Sequence, residues 1–165
     1  MTASQRDRVE KTPLHEKINL MLTEARVILP GAQALLGFQL AIVVTKSFDS
    51  LAAAAKLVHA ASLAAVAIAI ILLMAPAAYH RIVYAGEDSP EFHRTGSILV
   101  TLATVPLALG LAGDIYVVIA RIAHSSPVGL AAGAAALLLC LGIWHLYPAL
   151  RRGKLRSEGR LVSAE

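Results

Sequence analysis

The 165-residue sequence holds a single cysteine, Cys140, which excludes an intrachain disulfide and a cysteine-based metal cluster. Charge is also scarce: Asp, Glu, Lys and Arg make up 16% of the residues, against about 25% in an ordinary soluble domain, while 57% are hydrophobic. A chain so apolar is expected in a membrane rather than in water. The N-terminal region carries Arg6, Asp7, Arg8, Glu10, Lys11, Glu16 and Lys17. It has no apolar core and no small-residue cleavage site, so no secretory signal peptide is expected. No phosphate-binding glycine loop, activated nucleophile or zinc signature is present, and the expectation is a protein that is not an enzyme and needs no cofactor. The formal net charge of +4 sits mainly at the two ends, beside hydrophobic segments. That placement suits anionic lipid headgroups and argues against nucleic acid.

What the sequence does have is a series of long uncharged runs. No charged residue occurs from Val27 to Thr45, and a helix of this length crosses a hydrocarbon core of about 30 Å. Three further spans are read at about 57–79, 97–120 and 128–147. Ahead of the first, Thr12-Pro13 looks like a cap and an N1 proline. Leu14, Ile18, Met21 or Leu22, Ala25 and Leu29 then recur at helical spacing, which predicts an amphipathic helix over 13–26, either lying in the interface or running straight into the first span, with a bend at Pro30. The expected fold is all-α: an integral membrane bundle of four transmembrane helices preceded by this amphipathic helix. Residues 12–150 form the membrane domain, with 1–11 a disordered cytoplasmic N-terminus and 151–165 a basic cytoplasmic tail.

Orientation follows from the cations. Of the 15 lysines and arginines, all but Lys46, Lys56 and Arg121 fall on one side of such a bundle, so both termini are placed in the cytoplasm. Tyr79, Trp144 and Tyr147 then lie at the same cytoplasmic interface, as aromatic belts do.

Within the spans, polar residues are few. Arg26, Pro30, Gln33, Gly37 and Leu40 share one stripe of a helix, with Gln39 about 120° away. Asp114 closes a stripe of small and polar residues, Pro106, Gly110 and Gly113, and lies about 10 Å inside Arg121 by the helical rise. Gln39 lies at nearly the same level. A carboxylate at this depth must face the bundle, be protonated, or reach a partner such as Gln39 or Arg121. Two readings stand. In one, Asp114 is an ion or proton site with Gln39 and Gln33 lining the route; in the other, the three groups are structural hydrogen-bonding glue.

At the cytoplasmic boundary, Glu24 and Arg26 meet two similar triplets, Tyr79-His80-Arg81 and Phe92-His93-Arg94. Anchoring to headgroups and a proton-responsive cluster are both compatible with these residues, whereas the spacing does not suit a metal. His59, near the outer end of span two, reads as interfacial. Gly129 and Gly133 form a small-xxx-small pattern for close packing, within the bundle or in a homo-oligomer.

Several strings together resemble a family of small bacterial four-span membrane proteins of unknown function. They are Glu24-Ala-Arg26, Pro30-Gly-Ala-Gln33, Gly37-Phe-Gln39, Ala75-Pro-Ala-Ala-Tyr-His-Arg81, Glu91-Phe-His-Arg94 and Pro106 through Asp114. The resemblance implies a multi-pass protein of the bacterial inner membrane. Some members of such families carry the label sodium:proton antiporter, which implies a proton or sodium ion as the transported species. The alternative is a non-transporting membrane module that binds lipid or a partner protein.

Overall fold

The computed structural model describes residues 12–158, so the expected disordered segment 1–11 and the end of the tail lie outside the described residues. The chain is all-α, with four helical stretches long and apolar enough to cross a membrane: Leu14–Val43, Ala53–Val83, Pro90–Ile122 and Ser126–Ser157. In order, the elements are α1 (Leu14–Val43), a single turn α2 (Lys46–Asp49), α3 (Ala53–Val83), α4 (Pro90–Ile122) and α5 (Ser126–Leu141). A π-helical turn (Gly142–Leu146) and α6 (Tyr147–Ser157) complete the fourth stretch.

Local chemistry explains most of the boundaries. Pro90 enters α4 in its first turn, where its missing amide costs no helical bond. The turn between α3 and α4 needs Gly86 at φ +95°, a conformation that other residues rarely adopt. Thr45 ends the α1 connection by accepting the amide of Phe48 at 3.4 Å, which caps α2.

Of the two arrangements open to the N-terminal helix, the structure takes the continuous one. The approach segment and span one form one uninterrupted helix, and Pro30 lies inside it without ending it. Pro30 is exposed, and the carbonyl it leaves unbonded is that of Arg26, close to the charged end. The apolar stripe of the approach segment is turned into the bundle. Ile18, Met21 and Ala25 are buried in one cluster with Leu73, Phe92 and Val100 of α3 and α4. The end of the Met21 side chain lies over Gly96, where a Cβ would sit 2.6 Å from both its Sδ and Cε.

The heart of the bundle is the α3–α4 pair. On α3, Ser62, Val66, Ala69, Leu73 and Pro76 are buried at alternating spacings of four and three, one stripe of the helix. On α4, the facing residues are small. A Cβ on Gly110 would lie 2.5 Å from Val66 Cγ2 and 3.0 Å from the carbonyl oxygen of Ser62, so the backbones approach more closely than any larger residue allows. Gly129 and Gly133, the buried residues of α5, face Ala112, Tyr116 and Ala120 of α4 in the same way. With α1 against α3 and α4, and α5 against α4, helix α4 is the element that the other three long helices α1, α3 and α5 all touch.

The fourth stretch carries the irregularity. Pro148 has no amide to return to the previous turn, and the turn before it widens into the π form, with the amide of Tyr147 bonded to the carbonyl of Gly142. The extra residue turns His145 toward α4, where its Nε2 lies 2.9 Å from Oγ1 of Thr104. Helix then continues to Ser157, so the first part of the basic tail is helical.

Candidate functional site

Three helices bring one polar group each to the same end of the bundle, the end that holds Lys46, Lys56 and Arg121. Gln39 comes from the last turns of α1, His59 from the start of α3 and Asp114 from the last part of α4. Gln39 is 2% exposed and His59 4% exposed, which makes them, with Ser62, the buried polar residues among those described. In an all-apolar surrounding, such groups must find one another.

They do so in a defined order. Nε2 of Gln39 donates to Oδ2 of Asp114 at 2.6 Å. Nε2 of His59 lies 3.0 Å from the backbone carbonyl oxygen of Gln39. Because a carbonyl only accepts, that nitrogen carries hydrogen, which leaves Nδ1 of a neutral His59 as an acceptor. Nδ1 faces Oδ1 of Asp114 at 3.8 Å. Two acceptor oxygens, Oδ1 of Asp114 and Oε1 of Gln39, are buried with no hydrogen-bond partner. A cavity of about 350 Å³ touches Gln39, His59 and Asp114 and extends past Phe48 to Arg121. Phe48 closes on the imidazole edge to face, with ring centroids 5.4 Å apart.

Arg121 is not the partner of Asp114. Its Nη2 donates to Oγ of Ser50 at 3.0 Å, tying the end of α4 to the α2 connection. Gln33 is not at this site either. Arg26, Pro30, Gln33, Gly37 and Leu40, the stripe read from the sequence, are all exposed on α1. The face turned to the bundle instead repeats every seven residues through Ile18, Ala25, Ala32 and Gln39. His59 was read as interfacial and is a buried member of the site.

Contrasting substitutions in the two glutamines follow. Gln39→Leu removes the donor to Oδ2 of Asp114, whose Oδ1 is already buried without a partner, and is expected to cost about 1–3 kcal/mol. That exceeds the ~0.6 kcal/mol average for polar contacts in a bilayer, because Gln39, 2% exposed, is the side chain that donates to Asp114. Gln33→Leu is expected to stay within about 0.5 kcal/mol. Unfolding of the purified protein in mixed micelles by increasing SDS measures both, and equal losses for the two variants would contradict the placement.

At the opposite end, the expected cluster is spread out. Glu24, Arg26, Arg81 and Arg94 are exposed, whereas His80 and His93 are half-buried. The group actually at the centre is Phe92, which is fully buried, with His80 tilted over it at 4.5 Å and the rings of Tyr79 and Tyr84 at 6.3 and 5.9 Å. A further contact ties the start of α1 to the α3–α4 turn: Nδ1 of His15 donates to Oδ2 of Asp88 at 2.7 Å. Neither Phe92 nor His15 stands out in the sequence as a functional residue. The aromatic residue directly before each histidine, in Tyr79-His80 and Phe92-His93, was the available signal for the first. Among the described residues, no group of three or more His, Cys, Asp or Glu side chains is placed to hold a metal ion.

Four long apolar helices around a small set of buried polar groups define a multi-pass membrane protein. Residues 8–148 match the model of DUF6328, a family of unknown function, and the chain belongs to that family. Comparisons with curated proteins and with solved structures find no match.

Proposed function

We propose that the protein is coupled to a proton or a monovalent cation, in the manner of a sodium:proton antiporter, with Asp114 as the carrier and Gln39 beside it. The observation that carries this reading is a carboxyl group inside the apolar bundle, one oxygen held by Gln39 and the other unpartnered, at the wall of a cavity. An intramembrane carboxyl is retained at a cost, and groups of this kind mark ion and proton routes. The positive-inside pattern orients both termini to the cytoplasm of a bacterial inner membrane and puts the site near the opposite face. The basic ends rest on anionic headgroups. Four spans leave little room for a complete pathway, so the working unit is a homo-oligomer, and the exposed stripe of α1 with Gln33 at its middle is available for contact between copies.

Purified protein in proteoliposomes tests the reading. An imposed sodium or pH gradient is expected to drive proton movement, followed with an internal pH dye, well above that of empty vesicles. Absence of flux from correctly inserted protein overturns it. Salt-sensitive binding to anionic vesicles without flux would instead mark a non-transporting lipid-binding module.

A further inference from the structure

We propose that His59 and Asp114 hold one proton between them, so that the proton-binding unit of the site is this pair and not the carboxyl alone. The inference rests on the reading of Asp114 as the proton-bearing group, and adds to it a residue that the sequence leaves at the interface.

The argument is one of donors and acceptors. The imidazole is fixed at one end, because Nε2 of His59 points at the carbonyl oxygen of Gln39 at 3.0 Å and must bring the hydrogen to that bond. The carboxyl is fixed at one end too, because Oδ2 accepts from Nε2 of Gln39 at 2.6 Å. A single residue, Gln39, thus orients both partners, one through its main chain and one through its side chain. What remains are Nδ1 of His59 and Oδ1 of Asp114, facing each other at 3.8 Å. With a neutral imidazole and an ionised carboxyl, both are acceptors, and lone pair would face lone pair in a site where His59 is 4% exposed and Oδ1 has no other partner. One proton removes the conflict. Bonded to Oδ1, it gives a carboxylic acid facing a neutral imidazole; bonded to Nδ1, it gives an imidazolium beside a carboxylate, and in either form the 3.8 Å gap closes to about 3 Å when the hydrogen bond is made. Passage between the two forms moves that proton only, and the pair has no net charge in either.

The other charged groups around the pair turn elsewhere. On α3, Nζ of Lys56 donates to the main-chain oxygen of Asp49 at 3.0 Å and lies 5.7 Å from the centre of the Phe48 ring. On α4, Arg121 is committed to Ser50. Lys46 and Asp49 of α2 are exposed, and α1 contributes only the amide of Gln39 on this face. Of these cations Arg121 alone lines the cavity, and it is bonded to Ser50, so the shared proton is what keeps the buried pair neutral.

Nuclear magnetic resonance of the full chain in lipid bilayers, with ¹⁵N-histidine and ¹³C-carboxyl aspartate labels, tests the proposal without any substitution. Asp114→Asn and His59→Gln identify the two sets of signals by their loss. Nε2 of His59 is expected to keep its proton across the pH range in which the fold persists. Each titration step seen at Nδ1 is expected to appear at the same midpoint in the Asp114 carboxyl carbon. In Asp114→Asn, His59 is expected to stay a neutral Nε2–H tautomer throughout, since the asparagine amide can donate to Nδ1. Three results overturn the proposal: an Nε2 that loses its proton, separate midpoints for the two groups, or an ionised Asp114 beside a neutral His59 at neutral pH, as a bridging water would allow. The flux assay is independent of this outcome. Joint titration without flux ends the transport reading and leaves the pair standing, and Asp114-dependent flux with separate midpoints does the reverse.

Discussion

Asp114→Asn protein is expected to fold as the wild type does and to carry no more proton flux in proteoliposomes than empty vesicles. The two halves of this expectation come from the same geometry. Asparagine keeps the size of aspartate and a carbonyl oxygen, so Nε2 of Gln39 retains an acceptor at the position where it now finds Oδ2 at 2.6 Å. The new amide donates toward Nδ1 of His59, which now faces Oδ1 at 3.8 Å. Every buried polar atom of the site that has a partner keeps one, and the stability change should fall within about 1 kcal/mol. What asparagine cannot do is bind and release a proton. Asp114→Leu separates the two roles from the other side: it leaves the Gln39 side-chain amide and Nδ1 of His59 unmet inside the bundle and should cost about 1–3 kcal/mol in addition to the flux. If Asp114→Asn carries wild-type flux, the carboxyl is structural and the carrier must be sought elsewhere.

The distance between what the sequence told and what it withheld is clearest on α1. That a helix crosses here follows from the uncharged run beginning at Val27, and counting 1.5 Å per residue from the ends of the spans puts Gln39 level with Asp114. Level is a property of sequence position, and so it could be read. Facing is not, because a helix apolar all round shows no preferred side. The stripe of Arg26, Gln33 and Gly37 looked the more polar, yet it is the exposed one. The signal that would have chosen correctly was the seven-residue recurrence of Ile18, Ala25, Ala32 and Gln39, two of them small enough to admit a neighbouring helix. His59 was lost for the same reason. Its level near the start of α3 was plain, but only the packing of Ser62 against Gly113 fixes the rotation that turns the imidazole inward. The π turn at Gly142–Leu146 had a visible cause in Pro148, whereas its consequence, His145 meeting Thr104 on another helix, depends on the tertiary arrangement.

The same dependence on close backbones predicts the substitution most damaging to the fold. Gly133→Leu is expected to detach α5 from α4 and to lower stability by about 3 kcal/mol, the upper part of the range for overpacking. A Cβ at this position would lie 2.8 Å from the main-chain oxygen of Ala112 and 3.0 Å from Cβ of Tyr116. A flexible side chain gives way to such an atom; a carbonyl inside a helix does not. The two helices must therefore move apart along the whole contact, and α5 has little else to hold it, since α4 is the helix it packs against. Gly129 one turn earlier is caught in the same way, 2.8 Å from the main-chain oxygen of Tyr116, so small residues at both positions set the interhelical distance. Because α5 is apolar enough to remain in the bilayer alone, the variant should still insert, and the loss is of packing rather than of topology. Gly37→Ala is the control: nothing lies within 4 Å of a Cβ there, and alanine favours helix over glycine by about 1 kcal/mol. In SDS titrations of the two purified variants, Gly133→Leu should unfold at a lower SDS fraction than wild type and Gly37→Ala at an equal or higher one. A Gly133→Leu protein as stable as the wild type would show that α5 has a second docking mode, against another helix or another copy of the chain.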